Sequence, residues 1–298
     1  MTVVGEYRSR SAADVVISRV PVQEIVAYYE PKTEELLRRY GPGPRLHYHT
    51  GIVDEPVPLD MSAADLRRHI VIAQERLLHH AAKVWQAETA LRHQVLDVGC
   101  GLGGGALFWS QEFGARVTAV TCVPSHVDWV ARFAAKAGVA SQVHPLLCDA
   151  VEIPGENCFD AAVAIDSCCH MPRKELFLRL SKVLRPRARL FVTDCFLVRA
   201  DYGELFNRHW HVRLGSIEEY QAAARQAGLQ EEFFEDISHR VEYFWAMTLA
   251  LIKAEVEGKV LADKEATKFT EALQTHRLVQ RGLSDGGFCY ALMSFRKS

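Results

Sequence analysis

The sequence predicts an α/β fold: a mostly parallel sheet of seven strands with helices on both faces, a helical N-terminal segment and a long helical insertion before the last strand. Three observations carry this. First, β-rich runs alternate with helical ones through the middle of the chain. "QVLDV", "RVTAV", "VHPLL", "AAVAI" and "RLFVTD" are separated by stretches such as "SHVDWVARFAAKAG" and "RKELFLRLSKVL", and strict alternation argues for a parallel sheet. Second, "LDVGCGLGGG", residues 96 to 105, sets five glycines directly after the first of these runs. Glycine there allows both a tight turn and close approach of a ligand to the backbone. Third, the order changes near the C-terminus, where "IEEYQAAARQAGLQEEFFED" reads as helix then strand and "GGFCYALMSFRK" as a final strand.

Residues 1–20 are polar and weakly periodic and read as a flexible leader. Val22, Ile25, Val26 and Tyr29 then fall at helical spacing until Pro31 interrupts. A second helix from Pro31 to Tyr40 stops at "GPGP", which cannot continue it. "RLHYHTGI" leads into a polar, Pro-rich loop. From Ser62, a cap candidate, to about Ala90 the apolar positions Leu66, Ile70, Ile72, Ala73, Leu77, Leu78, Ala81 and Val84 mark a long amphipathic helix. The strand and helix alternation follows, and Val241 to about Leu283 reads as one long helix. The expected organisation is a lid over 21–90, which keeps water from the site, and a ligand-binding domain over 91–298, with 240–283 inserted in it.

The formal net charge of -2, with both signs mixed along the chain, leaves no electrostatic footprint for nucleic acid and favours a small or apolar substrate. Eight cysteines without a C-x-x-C pair, most of them in apolar runs, suit free thiols in a reducing compartment and a cytoplasmic protein. No run reaches the length that spans a bilayer, and no signal sequence opens the chain. An apolar C-terminal helix bearing Phe244, Trp245, Met247, Leu249 and Leu251 exceeds what one sheet face covers, so a homo-oligomer is expected.

Strand, glycine turn, helix is the arrangement that seats a ligand at a strand's carboxyl end against a helix N-terminus. Gly99, Gly101 and Gly104 also fit the dinucleotide fingerprint, so spacing alone does not discriminate. Asp97 does: a carboxylate two residues before the first glycine suits a ligand with a cationic group and repels a pyrophosphate. On these residues the chain resembles the class I S-adenosylmethionine-dependent methyltransferases, across about residues 60–240, which implies their Rossmann-like sheet. The resemblance implies that Asp97, Gly99 and Gly101 hold the amino acid part of the cofactor and that Asp149 in "LLCDAVEIP", followed by Ala150, meets the adenine. Ile165 at the end of the fourth strand belongs to the same set. The acidic ribose ligand usual after the second strand is missing; Thr121 and Cys122 stand there, with His126 where a related branch has Gln. A surface histidine opening a helix is the alternative for His126.

That branch holds cyclopropane synthases, sterol methyltransferases and terpenoid C-methyltransferases, and the last, including the geranyl diphosphate and teleocidin-type prenyl-indole enzymes, resemble nearly the whole chain. The resemblance implies that Asp166 and His170, in "IDSCCHMP", face the transferred methyl. It further implies that His49 and Gly51 in "LHYHTGI" close over the cofactor, that Trp210 in "RHWHVRLG" lies beside the reacting alkene, and that Tyr290 faces the pocket. An alkene that takes a methyl cation becomes a tertiary carbocation, which aromatic faces stabilise by about 1–2 kcal/mol each when desolvated. Trp210, Tyr28, Tyr29 and Tyr290 are the candidates. Asp166 would add charge stabilisation and a neutral His170 would remove the last proton, although Asp is a methylene shorter than the family's usual Glu.

The expected product is a C-methylated prenyl or terpenoid compound, by deprotonation or cyclisation, with S-adenosylhomocysteine left behind. Methyl transfer to oxygen or nitrogen of a small natural product is the alternative, and a noncatalytic cofactor-binding scaffold is a third reading. No metal is expected from "CCH" or from "HYH", residues 47 to 49, where a metal pair competes with the cofactor lid. Magnesium enters only if the substrate is a diphosphate, for which Arg38, Arg39, Arg45, Arg208 and Arg213 are the candidate partners.

Overall fold

The structure, a computed structural model, describes residues 20–257, 259–260 and 262–298. The expected leader therefore lies, up to residue 19, outside the described residues.

Helices α1 (Val22–Tyr29) and α2 (Thr33–Tyr40) are joined by a 3-10 turn, Glu30–Lys32, that Pro31 starts. The long helix α3 (Ala63–Val84) begins where Ser62 accepts the Asp65 N–H at 3.2 Å. It stops earlier than its apolar spacing predicts: Gln86 takes a left-handed φ of 57°, and a separate short α4 (Ala87–Ala90) follows. The sheet contains β1 (Gln94–Val98), β2 (Arg116–Thr121), β3 (Val143–Leu147), β4 (Phe159–Ile165), β5 (Leu184–Leu197), β6 (Leu229–Asp236) and β7 (Phe288–Lys297). Their order is β3-β2-β1-β4-β5-β7-β6. β7 runs antiparallel to β5 and to β6, and the remaining pairings are parallel. Between strands stand α5 (Gly104–Phe113), α6 (Pro124–Lys136), α7 (Arg173–Val183), α8 (Gly203–Trp210) and α9 (Ile217–Gln226).

The period-two geometry of strands divides the core. Val95, Ala161, Val163 and Phe191 face one layer, with α3, α5 and α6. Leu96, Val98, Ala162, Ala164, Leu190 and Val192 face the other, with α7 and α9. Strands buried on both faces explain why these runs are almost continuously apolar. The direction in which strands are added reverses between β1 and β4, and ligands bind at the carboxyl ends of strands at such a switch.

The expected single helix over Val241–Leu283 is instead a hairpin of α10 (Ser238–Val256) and α11 (Asp263–Ser284). A new helix start explains the break: Asp263 and Glu265 sit in its first turn, and the Glu265 carboxylate accepts the Ala262 N–H at 3.1 Å. Phe244, Met247 and Leu251 of α10 pack on Val53, Leu66, Ile70 and Ala73. Three of the five residues that prompted the expectation of an oligomer are thus buried within the chain, while Trp245 and Leu249 are partly exposed. Within the 21–90 segment, α3 is built into the sheet core through Leu77, Leu78, Ala81 and Ala82.

Candidate active site

A crevice opens at the carboxyl ends of β1, β2 and β4 and a larger cavity adjoins it. The crevice is lined by Asp97, Gly99 and Gly101 at and beyond the end of β1, and by Thr121, Cys122 and His126 at and beyond the end of β2. Asp149, Ala150 and Ile165 complete that wall, and Val20, Val22, Ile25 and Tyr29 come over it from the N-terminal segment.

The chemistry of this lining fits a cationic amino acid group. Asp97 is 3 % exposed and its Oδ2 has no hydrogen-bond partner among the described residues. Burial, opposed only by the Ala106 N–H, pushes its carboxyl up to about 7. Gly101 is left-handed at φ 52°, and a Cβ built there would meet nothing within 4 Å, so the turn leaves open room at the crevice. His126 is buried, neither ring nitrogen has a partner among the described residues, and burial lowers it to about 4, leaving a neutral ring for a neutral polar group. A ligand that pairs with the Asp97 anion must compete with its proton. Affinity for such a cation is therefore expected to be full above pH 7 and to fall by about tenfold per unit as pH drops below it. Calorimetric titration between pH 5.5 and 8.5 measures this, and a flat profile would assign the cation to another group.

Six residues line crevice and cavity alike: Tyr29, Leu36, Tyr48, His49, Asp166 and His170. Here a group held in one space reaches a molecule held in the other. Asp166 follows β4 with φ 46°, a left-handed backbone that Asp and Asn tolerate better than longer side chains. Its Oδ2 accepts the Thr50 N–H and its Oδ1 the Tyr290 hydroxyl, both at 2.7 Å. Burial raises its pKa against these two bonds. His170 ends the 3-10 turn Cys168–His170, shares a 3.0 Å hydrogen bond between Nε2 and the Tyr29 hydroxyl, and is lowered to about 4 by burial, hence neutral.

Two sequence assignments change. Tyr290 is 1 % exposed and lines neither space; its hydroxyl orients Asp166, while its ring belongs to the core beneath. Gly51 also lies outside both linings, and a Cβ there would meet the Ala73 backbone carbon at 2.6 Å, so glycine is required by packing on α3. Gly51→Ala is expected to cost about 1–3 kcal/mol of stability by overpacking. Thermal unfolding checks this, and unchanged cofactor affinity in the folded variant separates packing from binding. His49 does line the site: its Nδ1 donates to the Thr50 carbonyl at 2.7 Å, Nε2 is unpartnered among the described residues, and burial lowers it to about 3. His47 turns away to Glu75 at 2.7 Å, and among the described residues no group of three or more His, Cys, Asp or Glu could hold a metal ion.

The second cavity has a volume of about 870 Å3, near the upper end of small-molecule sites, roughly 300–1,000 Å3. Tyr28 and Trp210 line it. Lys32 Nζ donates to the Tyr28 hydroxyl at 2.5 Å and lies 3.7 Å from the ring centroid, and burial lowers this lysine to about 8. Most of the candidate phosphate-binding arginines are committed to carboxylates. Arg39 grips Glu255 and meets Glu35 at 3.3 Å, Arg45 meets Glu75 and Glu112, Arg208 approaches Glu204 and Glu271, and Arg213 pairs with Glu219. Arg38 is exposed.

Sequence reasoning missed Tyr48, Trp245, His276 and Asp194 on these walls. Tyr48 stands between two histidines in "HYH", with no local pattern that sets it apart from them. Asp194 accepts the Tyr220 hydroxyl at 2.7 Å and the N–H groups of Cys169 and Cys195, so it anchors the turn that presents His170. Burial first, then the Asp166 charge, raises it to about 7.

The family model described as "Methyltransferase domain" matches residues 95–187. The 27-O-demethylrifamycin SV methyltransferase of Amycolatopsis mediterranei (strain S699) is 30% identical over 213 residues, 68% of this chain and 77% of that protein. A probable chloroplastic tocopherol O-methyltransferase of Oryza sativa subsp. japonica is 28% identical over 268 residues, 84% of this chain and 72% of its own. The solved geranyl diphosphate C-methyltransferase from Streptomyces coelicolor A3(2), in complex with Mg2+, geranyl-S-thiolodiphosphate and S-adenosyl-L-homocysteine, shares the fold with a TM-score of 0.77. It is 18% identical and covers 96% of this chain and 100% of that one. Identity of this extent along most of both chains makes this chain a member of the class I S-adenosylmethionine-dependent methyltransferases.

Proposed function

We propose that the enzyme methylates an alkene carbon of a prenylated or terpenoid molecule, through a carbocation that loses a proton or is captured within the substrate. The observation that carries the reading is the junction of the two spaces. A buried carboxylate, Asp166, is held there by two donors beside a neutral His170 and the ring of Tyr29. S-adenosylmethionine, when bound, supplies an electrophilic methyl on a sulfonium. Asp97 would pair with its amino group, and Thr121, Cys122, His126, Asp149, Ala150 and Ile165 would line its remaining length. Tyr28, Tyr29, Tyr48 and Trp210 line the same acceptor space, and ring faces stabilise a cation without trapping it. Asp166 opposes the positive charge in a water-poor site. The neutral imidazole of His170 takes the final proton.

The committed arginines favour a neutral acceptor over a diphosphate, and with it a reaction that needs no magnesium. Transfer to oxygen or nitrogen is the second reading, favoured by the names of the two relatives and by the same acid and imidazole acting on a hydroxyl or amine. Turnover with S-adenosylmethionine against short prenyl diphosphates and neutral prenylated metabolites, with mass and NMR analysis of product, tests both. A new C–CH3 bond on the neutral panel is expected. Methyl found only on oxygen or nitrogen would replace the carbocation reading with the second one.

A further inference from the structure

Three rings on the α8, α10 and α11 wall of the acceptor cavity stand in mutual contact. Trp245 lies 5.6 Å from Trp210 and 5.5 Å from His276, and Trp210 lies 5.6 Å from His276, all between ring centroids. The indole nitrogen of Trp245 is buried and has no acceptor among the described residues. Such an N–H is expensive to leave unpaired, so it points to an acceptor atom brought by something else. His276 presents the complementary case. Its Nδ1 lies 2.7 Å from the Ala272 carbonyl, which only accepts, so Nδ1 carries the hydrogen and Nε2 keeps a lone pair. Unlike the Trp245 nitrogen, that Nε2 is not a buried atom left without a partner, and its ring lines the cavity. Burial lowers the ring to about 3, so it stays neutral at working pH.

Resting on the reading of this cavity as the acceptor site, we propose that Trp245 and His276 form a subsite for a neutral group that both accepts and donates a hydrogen bond, a hydroxyl or a secondary amide on the substrate. Trp245 donates to its oxygen and His276 Nε2 accepts its hydrogen. A diphosphate offers oxygens only and would face the imidazole lone pair. The Arg39 guanidinium on the same cavity is held by Glu255 and Glu35. The subsite therefore selects among substrates by a group remote from the bond that forms, as well as by the apolar walls.

The test is equilibrium binding of farnesol, its methyl ether and farnesyl diphosphate with magnesium to the enzyme saturated with S-adenosylhomocysteine. Wild type is expected to hold farnesol about three- to tenfold more tightly than the ether, which keeps the acceptor oxygen and loses the donor. His276→Phe should abolish that preference, whereas Trp245→Phe should weaken alcohol and ether alike and keep the preference. Retained S-adenosylhomocysteine binding shows that each variant is folded. Equal binding of alcohol and ether by wild type, a preference that survives His276→Phe, no saturable farnesol binding, or tighter binding of the diphosphate would each overturn the subsite. Product analysis keeps the two proposals apart. Methylation on oxygen with the preference intact removes the carbocation reading alone, and C-methylation without the preference removes the subsite alone.

Discussion

Asp97→Asn is expected to raise the dissociation constant for S-adenosylmethionine by roughly two orders of magnitude, about 3 kcal/mol. The substitution keeps the shape and removes a buried charge, proposed to face the cofactor's amino group, that has one oxygen unpartnered among the described residues. A surface ion pair would lose far less, because water screens it; Asp97 is shielded from water. The stability of the cofactor-free protein should move the other way. Burial lifts the Asp97 carboxyl from 3.8 to about 7. The folded state thus binds a proton that the unfolded state has released, and stability falls as pH rises from about 4 to 7 and stays low above it. A neutral amide in place of the carboxylate removes that loss, so the variant should melt at a higher temperature than wild type at pH 8, with the gap closing toward pH 4. Calorimetric binding and melting curves measure both effects. An unchanged dissociation constant would mean that another group receives the amino cation.

Asp166→Asn carries the second large effect: a fall in the rate of methyl transfer of about 10^2- to 10^3-fold, with cofactor affinity within about threefold of wild type. Asn tolerates the left-handed backbone at φ 46° as well as Asp does, so the fold is kept while the charge is removed. One amide face must also turn its NH2 toward the Thr50 N–H or the Tyr290 hydroxyl, both of which now donate to the carboxylate. Tyr290→Phe deletes one of these two bonds and should cost about tenfold, placing Tyr290 as a positioning residue for Asp166. Asp166→Glu should also slow transfer, since a carboxylate one methylene farther out is displaced from the two donors that hold Asp166. Single-turnover rates on an acceptor from the neutral panel, at saturating cofactor, decide the matter. A rate for Asp166→Asn within threefold of wild type would remove electrostatic stabilisation from the mechanism.

What was legible in the sequence was what lies close along the chain. A strand, a glycine turn and a helix occupy residues 94–113, so Asp97 and its glycines could be read as one unit. Asp166 and His170 are four residues apart at the end of one strand, and the resemblance to the terpenoid enzymes named them together. The helical stretch 241–283 was misread because its apolar spacing runs on from one helix to the next, while the start signal at Asp263 is local and brief. Gly51 was misread because a glycine demanded by a helix packed against it looks, in sequence, like a glycine demanded by a ligand.

By itself the sequence determined the order of strands and helices, the crevice after β1 and the kind of group it takes, because periodicity and turn chemistry act over a few residues. Tertiary structure alone decided what those residues do to each other. Tyr290 reaches Asp166 across 124 positions because β7 pairs with β5 and sets Tyr290 opposite Cys195. Thr50 reaches the same carboxylate from a segment 116 positions away. Trp245 and His276 face one cavity because α10 and α11 fold back on each other. Hydrogen-bond direction, burial and the pKa values that follow depend on such distant neighbours, and no local pattern in the chain encodes them.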